Sequence, residues 1–461
     1  MSSREVLWTA PTADSPLDAL VEVPGSKSLT NRWLVLGALA DSTTSLHGVL
    51  ISRDTRLMVD ALQQLGASFR RDGASCHITP LTPDASIDMA RAPMSAPGDG
   101  SVGSRRQPTT IHCGLAGTVM RFVPPVAALT GKTVDFVGDP AASSRPMSAL
   151  VEGLRAQGVR VDDLGKPGRL PLRLYGDGDL AGGTIEVDAS ASSQVISGLL
   201  LSAPRGRRTL VIRHTGARLP SVPHIDMTLE VLRRSGVDAE HRMSIDGRTH
   251  EWAVVPGPVH LGEVVIEPDL SNAGPFLAAA MVTGGTIAIS RWPRHTTQPG
   301  DAYRDLLTRM GADIHFEDDE LVLTGTGVIH GIDEDLGDVG ELTCTIAALA
   351  VLADSPSHLR GIGHLRGHET DRLHALTTEI RRLGGDVVEH EDSLEIKPRP
   401  LHGGVVQTYE DHRMATAAAI IGLRVPGVQV VNVQTTEKTL PDFVDMWLSM
   451  LHTCSPAGGT W

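Results

Sequence analysis

Aromatic side chains are scarce in this chain, 3% of its 461 residues. That removes the base-stacking platforms used by single-strand nucleic-acid binders and leaves Leu, Val, Ile and Ala to build the cores. Net positive charge is lacking too. The formal charge is −14, whereas a general affinity for polyanions needs a basic surface. Nucleic acid is not an expected partner. Lysine occurs only at Lys27, Lys132, Lys166, Lys397 and Lys438, and the other basic residues are arginines. Cysteine is limited to Cys76, Cys113, Cys344 and Cys454, without a C-x-x-C pair, which points to reduced structural thiols in a reducing compartment. No apolar run reaches the ~18 residues of a membrane span, and the start MSSREVLWTA has no signal-peptide core. A cytoplasmic protein without a membrane partner is expected.

What is present is ample apolar material, 41% of the chain, in a length that exceeds one ordinary core. Two domains are the expectation. A helical stretch ending in a glycine, followed by an alternating apolar segment, recurs around Gly66, Gly158, Gly236, Gly311 and Gly384. Such a glycine suits the left-handed position that stops a helix before the period switches from 3.6 to 2. ATAAAIIGLRVPGVQVV reads as a sixth, looser copy. The later glycines lie 73 to 78 residues apart, which gives each unit room for two helices and about four strands, and each domain three units. The longer first interval holds a Pro-, Ser-, Gly- and Asp-rich stretch at 82–109, which reads as a mobile surface insertion.

Cations and hydroxyls gather where loops run into helices. PGSKSLTNR places Lys27, Ser28 and Arg32 at one such junction. GLAGTVMR and SSRPM add Gly117, Arg121 and Arg145, and SASSQ adds Ser192, Ser193 and Gln194. Ser221 lies in LPSVPH. PGSKSLTNR alone is equally a capped helix with solvated charges, and the other segments taken singly favour the plain reading of a Gly-rich turn, a surface arginine or an N-cap with spare serines. The second half has Glu341 before an apolar helix, then HLRGHETDRL with His364, Arg366, His368, Glu369, Asp371 and Arg372. DHRM follows with His412 and Arg413, and KTLPDF with Lys438. His364 and His368 stand four apart, but no H-E-x-x-H pattern or third ligand accompanies them, so anion binding outranks a metal. Helix N-termini with adjacent Lys and Arg attract anions. The repetition of the theme points to two phosphorylated or carboxylated small molecules as ligands of a two-domain protein.

Taken in order from Pro24 to Phe443, PGSKSLTNR, LAGTVMRF, SRPM, SSQ, RGHETDR, DHRM and KTLPDF resemble the EPSP synthase family, the 3-phosphoshikimate 1-carboxyvinyltransferases. The resemblance implies an α/β fold of two similar domains, each of three βαβαββ units around buried parallel helices, an inside-out α/β barrel. Its first C-terminal-domain strand would come from the N-terminus. The domains would be 1–24 plus 266–461, and 25–265. It also implies residue roles. Lys27, Gly117, Arg145, Gln194 and Lys438 would surround the phosphate of phosphoenolpyruvate, and Arg372 and Arg413 would hold its carboxylate with planar guanidinium forks. Lys27, Ser28, Arg32, Ser192, Ser193, Gln194, Ser221, His364 and His368 would position shikimate 3-phosphate. Glu341 would bind its hydroxyls and take the 5-hydroxyl proton, while Glu369, with His368 nearby, would protonate the methylene carbon. No metal or organic cofactor would be needed, and the protein would act as a monomer.

Four positions depart from the family pattern. Leu115 stands where many members have Asn, His364 and His368 replace Asn and Lys, and Phe122 replaces a Pro. The histidines make local charge pH-dependent. Phe122 leaves open how strongly glyphosate, a competitor of phosphoenolpyruvate across the family, would bind. The sister transferase acting on UDP-N-acetylglucosamine carries Lys-Asn in place of Lys27-Ser28 and a reactive Cys shortly before the equivalent of Arg145. Residues 138–145, GDPAASSR, have none. A non-catalytic phospholigand binder of the same fold is the other alternative, and retention of both Glu341 and Glu369 speaks against it.

Overall fold

The computed structural model describes residues 6–81, 107–244 and 249–452. Most of the 82–109 stretch, with Cys454, lies outside the described residues. Its end does not read as insertion, because Thr109 already opens the strand Thr109–His112. The chain forms two compact units. One comprises the chain up to Lys27, Leu50–Arg53 and the chain from Glu267 onward, and the other comprises Ser28–Val49 and Asp54–Ile266.

The repeat is real, and its glycines do what the sequence requires of them. Gly66, Gly158, Gly236, Gly311 and Gly384 all have positive φ, between 80° and 126°. Each follows an amphipathic helix and precedes a strand, as in Arg53–Leu65 before Ser68–Asp72 and Arg372–Arg382 before Asp386–Glu389. A side chain at such a φ is strained, so glycine is the economical stop. In the sixth copy the positions shift. Gly422 is the last residue of the helix His412–Gly422, and the left-handed glycine before the strand Val428–Val431 is Gly427.

Among the described residues each unit has three sheets. Five have four strands paired parallel, antiparallel, antiparallel, the order that a βαβαββ unit generates. Two borrow their first strand from elsewhere in the chain. Asp18–Val21 pairs in parallel with Thr286–Ile289, and Glu263–Val265 pairs in parallel with Thr44–His47. The sixth sheet has three strands, with Leu7–Thr9 lying antiparallel to Val428–Val431.

Each unit encloses its own core. At its heart are helices buried nearly all round: Lys27–Ala38, Gly117–Ala128 and Gln194–Ser202, and in the other unit Leu270–Thr283, Thr343–Ala350 and His412–Gly422. Thr343–Ala350 carries no charged residue and is buried throughout, as expected for a helix with no solvent face. Their N-terminal turns are tied together by side chains. Asn31 Nδ2 donates to Thr118 Oγ1 at 3.0 Å and Arg32 Nη2 to Ser197 Oγ at 3.4 Å. In the unit that begins at Ser28, the N-terminal turns of the three helices therefore meet, and polar residues of the motifs stand on them.

Candidate active site

In the unit that begins at Ser28, the phosphate-type residues converge on Gly117, the first residue of its helix. A Cβ placed there would sit 2.9 Å from Gln194 Oε1 and 3.1 Å from Arg145 Nη2. Only glycine leaves the backbone open to those two side chains. Arg145 Nη1 donates to Leu115 O at 3.2 Å, which fixes the guanidinium beside the turn. Gln194 Oε1 and Arg145 Nε are buried without a hydrogen-bond partner, a costly state that a bound polar ligand relieves. Arg121, singled out in the motif, is 2% exposed and donates to the carbonyls of Gly117 and Pro146, both at 3.3 Å. It braces the two segments that carry Gly117 and Arg145.

The serines are not spent on capping. Ser193 precedes Gln194–Ser202 and Ser221 precedes Val222–Arg234, and neither hydroxyl caps its helix. Ser221 sits at φ 57°, a left-handed conformation unusual for serine. Arg32 is 1% exposed. Its guanidinium donates to Thr228 Oγ1 at 2.8 Å, Ser28 O at 2.9 Å and His224 O at 2.7 Å, and lies 5.4 Å from the Phe122 ring centroid. Arg32 thus ties Ser28 to the helix that follows Ser221.

The other unit assembles an ion network. Asp269 caps Leu270–Thr283 by accepting from Asn272 N, and its second oxygen accepts from Lys27 N at 2.9 Å. Ser271 Oγ donates to Glu341 Oε1 at 3.3 Å. Glu341 follows Gly340, where a Cβ would lie 2.5 Å from His364 Nε2, so the glycine leaves room for the imidazole. The His364 and His368 rings meet edge to face, with centroids 5.5 Å apart. Arg372, 3% exposed, donates Nε to Asp411 Oδ2 at 2.8 Å, Nη2 to Glu369 Oε2 at 3.0 Å and Nη1 to His368 Nδ1 at 3.2 Å. Lys438 Nζ donates to Glu369 Oε1 at 2.6 Å. Asp411 also accepts from Arg413 N at 2.9 Å.

Electrostatics follow from this crowding. Burial disfavours the Arg372 cation, but Asp411 and Glu369 outweigh it and hold the guanidinium above its usual pKa. Burial, helped by Arg413, Lys27 and Lys438, holds His412 well below the ordinary imidazole value, with Glu369 pulling the other way. His412 is a neutral ring among cations. Burial pushes the thiols of Cys113 and Cys344 up to about 12, so neither is a thiolate nucleophile. Among the described residues no group of three or more His, Cys, Asp or Glu is arranged to hold a metal, and no helix is long and apolar enough to cross a membrane.

Comparison with known proteins decides the family. The model of EPSP synthase (3-phosphoshikimate 1-carboxyvinyltransferase) matches residues 11–447. The chain belongs to the EPSP synthase family. A 3-phosphoshikimate 1-carboxyvinyltransferase of Kocuria rhizophila is 53% identical over 457 residues, 97% of each chain. Two EPSP synthase structures from Acinetobacter baumannii share the fold at 21% identity, each with a TM-score of 0.75, covering 97% and 96% of this chain and 98% of theirs. The family's two-domain α/β architecture of repeated βαβαββ units is the one described above.

The motifs named most of the polar residues that the structure gathers in each unit. Asp411 and Asp269 were not singled out in the sequence, while Arg121 and His412 stood in their motifs without an expected role. Asp269 and Asp411 had a readable signal, an Asp ahead of an apolar helix, but nothing in the sequence tells that they would also hold Lys27 N and Arg372.

Proposed function

We propose that this chain moves the enolpyruvyl group of phosphoenolpyruvate to the 5-hydroxyl of shikimate 3-phosphate and releases inorganic phosphate, a step toward aromatic amino acids. The observation that supports it best is the family match over residues 11–447 together with the chemistry of these residues: Glu341 hydrogen-bonded to Ser271, and Glu369 held between Arg372 and Lys438. A proton added to the methylene carbon makes the adjacent carbon electrophilic. The 5-hydroxyl oxygen adds there as its proton leaves, giving a tetrahedral intermediate. Loss of the methyl proton and of phosphate, with C–O cleavage, restores the enol ether.

The residue roles are part of the proposal. Glu341 takes the hydroxyl proton, and Glu369, with His368, delivers one to carbon. Lys27, Gly117, Arg145, Gln194 and Lys438 receive the phosphate of phosphoenolpyruvate, and Arg372 and Arg413 its carboxylate. Ser28, Arg32, Ser192, Ser193, Ser221, His364 and His368 position shikimate 3-phosphate. Fixed cations at the places where charge develops stabilise the intermediate. The enzyme works in the cytoplasm as a monomer, which sedimentation checks. The deciding assay is phosphate release. It should be steady with phosphoenolpyruvate plus shikimate 3-phosphate and absent with UDP-N-acetylglucosamine; comparable turnover with the nucleotide sugar sinks the reading.

A further inference from the structure

Two consecutive residues just ahead of Asp411 are left-handed, Tyr409 at φ 53° and Glu410 at φ 57°. Neither is Gly or Asn, the types that tolerate this region, and such strain persists only where surroundings over-determine it. The surroundings are visible. Glu379, on the helix Arg372–Arg382, is 3% exposed and takes no part in the proposed chemistry. Its Oε1 accepts from the Tyr409 hydroxyl at 2.6 Å and its Oε2 from Gln407 N at 3.1 Å. Arg382 Nε, 2.9 Å from Oε2, balances the charge. Burial and the adjacent Glu379 carboxylate push the Tyr409 phenol up to about 12, which keeps its proton on the donor.

The same helix begins with Arg372, and the strained pair leads directly into Asp411, which accepts from Arg372 and from Arg413 N. Helix Arg372–Arg382 is therefore joined to the start of helix His412–Gly422 twice. One link is the Arg372–Asp411 ion pair, and the other, about two turns along, is the Glu379–Tyr409 bond. Two links fix a direction where one permits rotation.

We infer that Glu379 and Tyr409 form a clasp that sets the spacing of Arg372 and Arg413, making both positioning residues for the carboxylate of phosphoenolpyruvate. The inference rests on the reading of Arg372 and Arg413 as the carboxylate pair. It assigns to the left-handed turn a purpose that burial alone does not supply, because Tyr409 is 37% exposed and adds little to the core.

The test is Tyr409→Phe, which keeps the ring and removes one hydroxyl, measured beside Glu379→Gln and Arg413→Ala. Tyr409→Phe should raise KM for phosphoenolpyruvate about tenfold, the scale of one lost hydrogen bond to a charged group, and leave KM for shikimate 3-phosphate within about twofold. Adding Glu410→Asn, which favours the left-handed turn without the clasp, should recover much of the loss. Equal increases in both KM values, or no rescue, mean general loosening and overturn the clasp. Loss of phosphoenolpyruvate binding in Arg413→Ala beside a silent Tyr409→Phe and Glu379→Gln overturns the clasp alone. No loss in Arg413→Ala overturns both the clasp and the carboxylate assignment.

Discussion

Lys438 Nζ lies 2.6 Å from Glu369 Oε1, and the other oxygen of that carboxylate faces Arg372 Nη2 at 3.0 Å. The proposed proton donor is thus gripped by two cations that are also proposed ligands of phosphoenolpyruvate. The substrate's phosphate and carboxylate are natural replacements for Glu369 as their partners. Binding would then release the carboxyl group to carry a proton to the methylene carbon.

Glu369→Gln tests that sequence of events. The amide keeps a hydrogen-bond acceptor for Lys438 but cannot shuttle a proton, so substrate binding should persist. Incorporation of solvent deuterium into the methylene group should slow by about two or more orders of magnitude, the scale of lost acid–base catalysis. Incorporation at the native rate refutes the assignment.

Asp411 is 0% exposed and answers Arg372, itself 3% exposed, through both oxygens. Removing one partner of a buried pair leaves an uncompensated charge. Asp411→Asn should cost about 3–5 kcal/mol of stability, read as a lower denaturant midpoint. Double replacement of Asp411 and Arg372 by Asn and Met should recover part of it.

The helices and strands were legible where periodicity and a stop signal coincided. Gly158 and Gly236 could be read as helix stops because left-handed backbone is a local demand. The sixth copy was legible only as a looser one, since Gly422 and Gly427 sit five apart and both look like stops; the structure ends the helix at Gly422 and puts the left-handed turn at Gly427. For the site, the sequence identified side chains that carry charge. It could not reveal that Arg32 would be sunk under Thr228 and His224 O, or that Asp411 would bind Arg372, because those pairings join residues 196, 192 and 39 positions apart. Nothing local in the chain encodes them.

Gly117 offers a test of the other unit. Its missing Cβ is the space that Gln194 Oε1 and the Arg145 guanidinium border at 2.9 Å and 3.1 Å. Gly117→Ala should weaken glyphosate inhibition and raise KM for phosphoenolpyruvate, each by about tenfold or more, while leaving the thermal midpoint nearly unchanged. Inhibition curves that superimpose on the native ones mean the turn does not border the phosphate.

His368 Nδ1 faces Arg372 Nη1 at 3.2 Å. An arginine can only donate, so Nδ1 offers its lone pair to this bond. If phosphoenolpyruvate draws Arg372 toward its carboxylate, Nδ1 can take a proton in place of that bond, and the new cation would strengthen anion binding. Binding should therefore take up a proton near neutral pH, seen as a binding enthalpy that varies with the buffer's ionisation enthalpy. His368→Lys, cationic beforehand, should abolish that uptake. Equal uptake in both proteins removes His368 from the scheme.

His412 is one group that weakens the fold in acid. Its imidazole is held well below the ordinary value of 6.5 by burial and by Arg413, Lys27 and Lys438. In the unfolded chain the same ring titrates near 6.5. Below that pH the unfolded state binds a proton that the folded state refuses, so stability falls as pH drops from 6.5 toward the depressed folded value. The slope from this one group is at most about 1.4 kcal/mol per pH unit. Above 6.5 both states are neutral and the contribution is flat. Urea midpoints of the native protein and His412→Gln, measured from pH 7.5 down to 5.0, should diverge only below about 6.5, with the glutamine variant losing less. Parallel curves across the whole range would place a proton on His412 in the folded protein and contradict its neutral state among the three cations.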